Sequence, residues 1–237
     1  MSAVEGEDKQ PGRGMSAQGV VKASLVSLGL CAGIVLIADG LHTPKPPPQP
    51  TAAQAFQMPV PVPAPVDASQ DAPLDQPMLA PATPTRVRIP AINVNAPLTG
   101  LGLEAGRHLA APPEEDRNLA GWYSGGTPPG VVGTAVIAGH VDTRRGPAVF
   151  YSLGALKRGD AVDVDRADGQ SAVFTVDAVE AYDARAFPDD KVYGAAKRAE
   201  LRLITCGAGF DKHHKRYSGN VVVYAHLTGV QAAPAGK

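Results

Sequence analysis

Three side chains of complementary chemistry stand at or beside the ends of strand-like runs in this 237-residue chain: Cys206, His140 and Arg216. A thiolate attacks a carbonyl carbon and leaves a thioester. An imidazolium protonates the departing amine, and the neutral imidazole then deprotonates an incoming one. A guanidinium stays charged at every accessible pH and offers donors to a developing oxyanion. Cys206 ends the run Leu201-Arg202-Leu203-Ile204-Thr205-Cys206, which breaks into Gly207-Ala208-Gly209. The other cysteine, Cys31, lies in an apolar N-terminal segment, so the compact part of the chain has one thiol and no partner for it. A free cysteine can also be just a small buried hydrophobe. A single Cys with a distant His is nevertheless the pattern of a nucleophile and its acid/base partner.

A strand end fixes the backbone, and the loop after it leaves the side chain open to a cleft. His140 closes Thr134-Ala135-Val136-Ile137-Ala138-Gly139, and Arg216 lies just before Asn220-Val221-Val222-Val223-Tyr224. If the runs carrying Cys206 and Arg216 are neighbours in a sheet, both side chains reach one rim. His140 must then come from an adjacent strand.

Composition narrows the rest. Formal net charge is -1, and no basic stripe is present to meet a nucleic acid. Aromatic residues make up 5%, too few for base-stacking platforms. Thirteen of the 23 prolines fall between Pro44 and Pro84. With the apolar and charge patterns, that skew divides the chain into a cytoplasmic disordered tail (1–19), a transmembrane anchor or signal peptide (20–41), a Pro-rich linker (42–85), a folded domain (86–229) and a C-terminal tail (230–237). Residues 23–38 are uncharged and apolar, nearly long enough to span a bilayer once the flanking valines are counted and Lys22 reaches toward the interface. No small-x-small site favours cleavage, and Leu30 before Cys31 disfavours lipoprotein processing. Arg13 and Lys22 precede the segment, so the rest of the chain is expected outside the membrane. The linker favours polyproline II and carries few groups able to pack; at ~3.1 Å per residue it would reach about 130 Å when extended.

Within residues 86–229, period-two patterns dominate. Val87, Ile89, Ile92 and Val94 flank Pro90. Asp160 to Asp165 alternates. Residues 171–182 set Phe174, Val176 and Ala178 against Val173, Thr175 and Asp177, with Asp168-Gly169 as a hairpin turn before them. Residues 200–205 and 220–227 complete the strands. Helix is confined to short pieces near 150–156 and 190–197. The pattern predicts an all-β barrel or sandwich.

Leu203-Ile204-Thr205-Cys206 resembles the core of the TLxTC motif of sortases, the cysteine transpeptidases of Gram-positive cell walls. Ile137-Ala138-Gly139-His140-Val141-Asp142 resembles the family's histidine segment. Gly146-Pro147-Ala148-Val149-Phe150-Tyr151, and Arg216-Tyr217 before Asn220, look like the actinobacterial class E/F branch, closer to F. The likeness runs from about Val87 to Leu227. It implies a closed eight-stranded sortase-type β-barrel with short helices, with Cys206 as nucleophile, His140 as general acid/base and Arg216 stabilising oxyanion or substrate. It also implies cleavage of an LPxTG-like sorting signal between Thr and Gly, transfer to a cell-wall amine such as a peptidoglycan-precursor amine, and no cofactor. Thr205, Ile137 and Asp142 are expected to contact substrate, Asp142 alternatively to orient His140 or to bond its own loop. Arg202 stands where the motif has its first Thr and is expected to face solvent. A single-pass membrane protein, monomeric, with an extracellular catalytic domain follows. Two rival readings are a thiol peptidase that uses water as acceptor and a non-catalytic wall-binding module.

Other residues offer less. His213-His214 are adjacent and seldom converge on one metal, and Asp189-Asp190 are too few ligands for calcium. His226 and Trp122 are expected to be structural, and no metal site is predicted.

Overall fold

The computed structural model describes residues 46–57, 78–105, 108–211 and 216–234, and for Cys206, Phe210, Asp211 and Arg216 it describes the backbone. The predicted anchor at 20–41 and His213-His214 lie outside the described residues. Residues from Pro47 onward form one compact unit.

Eight strands close into a barrel in the order β1-β2-β3-β4-β9-β10-β8-β7. They are β1 (Pro84–Ile89), β2 (Val94–Leu101), β3 (Ala120–Tyr123), β4 (Gly133–Gly139), β7 (Ala161–Arg166), β8 (Gln170–Asp183), β9 (Ala199–Asp211) and β10 (Arg216–Ala232). A separate hairpin pairs β5 (Asp142–Thr143) with β6 (Gly146–Pro147). The described residues include one α-helix, α1 (Asp189–Tyr193), and several 3₁₀ turns. The all-β expectation and the eight-stranded closure both hold. Closure removes the exposed edges that an open sheet of this size would present.

Alternation fills the interior. Phe174, Val162, Val164, Ile137, Leu203, Val223 and Leu227 point inward and are at most 1% exposed. Burying each such side chain contributes roughly 1.5–3 kcal/mol. Trp122 joins this core, as expected. Along β8 the alternation reverses once. Ala178 faces Tyr224 and Val176 faces Ala225, so Asp177 is an extra residue in a bulge. Val176 and Val179 therefore point into the barrel while Ala178 joins an outer cluster with Val136, Ile204, Val222 and Tyr224. The bulged Asp177 carboxylate is left to accept from His226 Nδ1 at 2.7 Å and from Arg198 at 3.2 Å. His226 is thus a structural histidine.

Turns follow their residues. Asn93 leaves the 3₁₀ turn at 90–92 with φ 55°, a conformation Asn tolerates better than most side chains. Gly169 supplies φ +79° in the β7–β8 hairpin that Asp168-Gly169 predicts. β3 was not expected as a strand. It is four residues long, and its pairing comes from distant partners, parallel to β2 and antiparallel to β4.

Arg202 corrects the solvent-facing expectation: it is 6% exposed. Its guanidinium stacks 4.6 Å from the Tyr224 ring and donates to Glu200 at 2.7 Å. A planar, weakly hydrated cation can be buried in this way when a ring face and a carboxylate receive it. Burial pushes the Glu200 carboxyl up, but the hydrogen bonds and charges of Arg198 and Arg202 outweigh it, and its pKa lies below the ordinary value. Glu180 follows the same balance, with Lys191, Tyr182 and the Phe56 N–H as the lowering partners. A depressed carboxyl contributes stability above its unfolded pKa, about 4.3 for Glu, and loses it as pH falls through the lower folded value. Asp163, raised by burial against the pull of Arg88, works in the opposite sense. Glu200→Gln is therefore expected to cost about 1–3 kcal/mol at neutral pH, since it strands the buried Arg202 charge. It should also flatten the fall of melting temperature below about pH 4. Thermal melts across pH check both, and an unchanged acid limb would count against the pairing.

Residues 47–57, within the predicted linker, lie against the barrel. Gln49 Nε2 donates to the Gly207 carbonyl at 2.6 Å. Gln54 Nε2 donates to the carbonyls of Gly154 and Leu156. The Phe56 N–H donates to Glu180 at 3.1 Å, and its ring meets Tyr224 edge-on at 5.1 Å. Gly154 is required here, because a Cβ would overlap the Pro48 carbonyl. Farther on, the buried Arg166 donates to the carbonyls of Ala80 and Pro129 and pairs with Asp168 at 2.8 Å, holding the chain where it enters β1.

Candidate active site

β4, β9 and β10 are consecutive in the barrel; His140 directly follows β4, and β9 and β10 carry Cys206 and Arg216. β4 runs parallel to β9, with Ala138 level with Ile204. His140 and Cys206 each stand two residues beyond that last pair. Neighbouring strands lie about 4.8 Å apart, so the two backbones are close at this rim. On the other side, Asn220 of β10 faces Cys206 across an antiparallel pair. The ladder shifts between Gly219 and Asn220, so Gly207 has no opposite number. It is an irregularity at the residue after the cysteine, where bulges commonly re-aim a strand.

Arg216 faces Asp211, four residues along β10 from Asn220. At ~3.3 Å per residue that is about 13 Å along the strand. The paired strands thus lead the backbone toward Cys206 and His140 at one end of the barrel and set Arg216 farther along β10. Arg198 and Arg202 are both committed to Glu200.

His140 follows the last residue of β4. Its carbonyl accepts from the Phe150 N–H, and the Val141 carbonyl accepts from the Ala148 N–H, both at 3.0 Å. Its Nε2 lies 2.7 Å from the carbonyl oxygen of Pro112, in the β2–β3 connection. The Asp142 carboxylate accepts from the Tyr217 hydroxyl at 2.7 Å. Burial and the Asp142 hydrogen bond push the Tyr217 phenol above its ordinary pKa, so it stays a neutral donor. That contact ties the β5 hairpin to the start of β10, across the mouth of the candidate site.

Two residues expected to meet substrate are buried. Ile137 is 0% exposed and packs in the barrel interior, so it supports the site from beneath and does not line it. Thr205 is 3% exposed, facing Val221, and its Oγ1 has no partner among the described residues. Sequence reasoning missed Pro112 and Gln49, which touch the site through a carbonyl and a side-chain amide. Neither has a motif; the Pro112-Pro113 pair was the one local signal.

A cleft of about 360 Å³ opens beside this rim, between Ile92–Val94, Arg117, Asn118 and the segment 147–152. Its wall residue Ala148 donates to the Val141 carbonyl, beside His140. Among the described residues no cluster of His, Cys, Asp or Glu is arranged to hold a metal.

Residues 87–228 match the Sortase domain family, more than half of the chain. No curated protein matches. Among solved structures, Listeria monocytogenes sortase A shares 19% identity with a TM-score of 0.47, over 65% of this chain and 92% of its own. Sortase C-1 from Actinomyces oris shares 22% with a TM-score of 0.46, over 61% and 73%. Streptococcus pneumoniae sortase C shares 21% with a TM-score of 0.48, over 67% and 74%.

Proposed function

The chain belongs to the sortase family of cell-wall cysteine transpeptidases, and from that premise we propose that it is a membrane-anchored enzyme of the actinobacterial class E/F type, closer to F. It cleaves an LPxTG-like signal between Thr and Gly and passes the acyl group to a cell-wall amine. The observation that supports this best is the parallel pairing of β4 with β9, whose last pair, Ala138 and Ile204, stands two residues before His140 and Cys206.

The Cys206 thiolate attacks the threonyl carbonyl carbon. The tetrahedral oxyanion collapses, the C–N bond to glycine breaks, and His140 gives the leaving amine its proton. An incoming primary amine attacks the thioester, His140 takes its proton, and the thiolate leaves. Arg216 is assigned to the oxyanion or to the substrate backbone. Thr205, whose buried hydroxyl has no partner among the described residues, supports the strand beneath the thioester, and Asp142 shapes the rim through Tyr217. Residues 20–41 anchor the protein with its barrel outside the cell, as a monomer. Among the described residues no helix is long and apolar enough to cross a membrane, and that segment lies outside them.

Mass spectrometry of a panel of sorting peptides, incubated with the protein with and without triglycine, tests the reading. Transpeptidation gives a triglycine adduct. Hydrolysis alone would mean a thiol peptidase, and no acyl-enzyme with any peptide would favour a wall-binding module. Arg216→Ala is expected to lower kcat/KM by about 10²–10³. An unchanged value would remove Arg216 from the mechanism, and the ion-paired Arg198 and Arg202 are poorly placed to replace it.

A further inference from the structure

The connection between β2 and β3 is exposed from residue 111 to residue 118, except at Pro112, which is buried. The single buried point of this stretch is the residue whose carbonyl meets His140. A carbonyl oxygen only accepts, so the hydrogen between them belongs to His140 Nε2. In the neutral ring that leaves Nδ1 as the one basic nitrogen.

The dipeptide Pro112-Pro113 makes this acceptor rigid. The ring of Pro112 sets its own φ near −65°. The ring of Pro113 confines the ψ of residue 112 to the extended range. The carbonyl direction follows from those two angles, so it is held independently of the exposed loop around it. The loop is also anchored at both ends. Ala110 N–H donates to Gly102 O at 3.0 Å, and Arg117 and Arg145 donate to the carbonyls of Arg145 and Glu115. Asp142, the nearest carboxylate in sequence, is taken by Tyr217.

We propose that Pro112, aimed by Pro113, is the positioning residue of His140: its carbonyl fixes the Nε2–H tautomer, and every proton that His140 exchanges during turnover passes through Nδ1. The role often filled by an Asp or Asn side chain falls here to a backbone oxygen. This rests on the acid/base reading of His140.

The full chain labelled with ¹⁵N-histidine reports the tautomer without turnover. Long-range ¹H–¹⁵N correlations should show the neutral His140 protonated at Nε2. Pro113→Gly keeps the carbonyl but frees its direction. It should give a mixture of tautomers and lower kcat on the order of tenfold with KM unchanged, a partial form of the roughly 10⁴ lost when a catalytic histidine is held in the wrong tautomer. Pro112→Ala keeps the carbonyl and the restriction from Pro113 but frees its own φ, and should lose less than Pro113→Gly does. Nδ1-methylhistidine at position 140 should abolish turnover. A native ring protonated at Nδ1, or full turnover with the methylated ring, would overturn the proposal. Full turnover in His140→Ala would overturn the acid/base reading and the proton route with it, while the resonance data would still read the tautomer.

Discussion

Cys206→Ala is expected to abolish both peptide cleavage and amine transfer, with no acyl-enzyme detectable by intact mass. The thioester needs a sulfur, and no other thiol is present in residues 47–237. Losses on the order of 10⁶ in kcat accompany removal of the nucleophile from comparable acyl-transfer sites. The fold should survive. Position 206 is held by ladder bonds on β9, between β4 and β10, and none of these involves the side chain. An unchanged melting temperature with no activity is the expected pair of results. Residual transfer above a few per cent would mean that another group carries the acyl chain.

His140→Ala should lower kcat/KM by about 10²–10⁴, the usual contribution of a positioned acid/base. The loss should divide between the two half-reactions. Acyl-enzyme formation slows because the leaving amine goes unprotonated, and resolution slows because the attacking amine keeps its proton. Single-turnover measurements with a sorting peptide separate them. The variant also releases the Pro112 carbonyl, so His140→Gln, which restores a donor but not a base, is the matching control. If glutamine rescued turnover, the imidazole would be acting as a hydrogen-bond donor and not as a base.

How much of this was legible beforehand depended on whether a feature is local. The alternation of residues 171–182 marked β8 and its inward face, because a two-residue period survives in any sheet. The bulge at Asp177 did not show, since an extra residue is defined only against its partner on β10. β3 was invisible for the same reason: Ala120-Gly121-Trp122-Tyr123 is a strand only because β2 and β4 flank it. At the site, residue types pointed to the thiol and the imidazole. The pairing of Ala138 with Ile204, which brings their two strands side by side, is a long-range register and appears in no motif. Arg202 was misread because a charge was assumed to need water, whereas a ring face and a carboxylate received it. Pro112 escaped notice because its contribution is a main-chain oxygen.

The contacts of residues 47–57 have a mechanical consequence. Gln49, Gln54 and Phe56 grip the barrel in chain order, at Gly207, at Gly154 and Leu156, then at Glu180 and Tyr224. Tension applied from the N-terminal end would load these grips one at a time and not together, as tape lifts from one corner. The first grip to bear the force is the amide resting on the residue after Cys206.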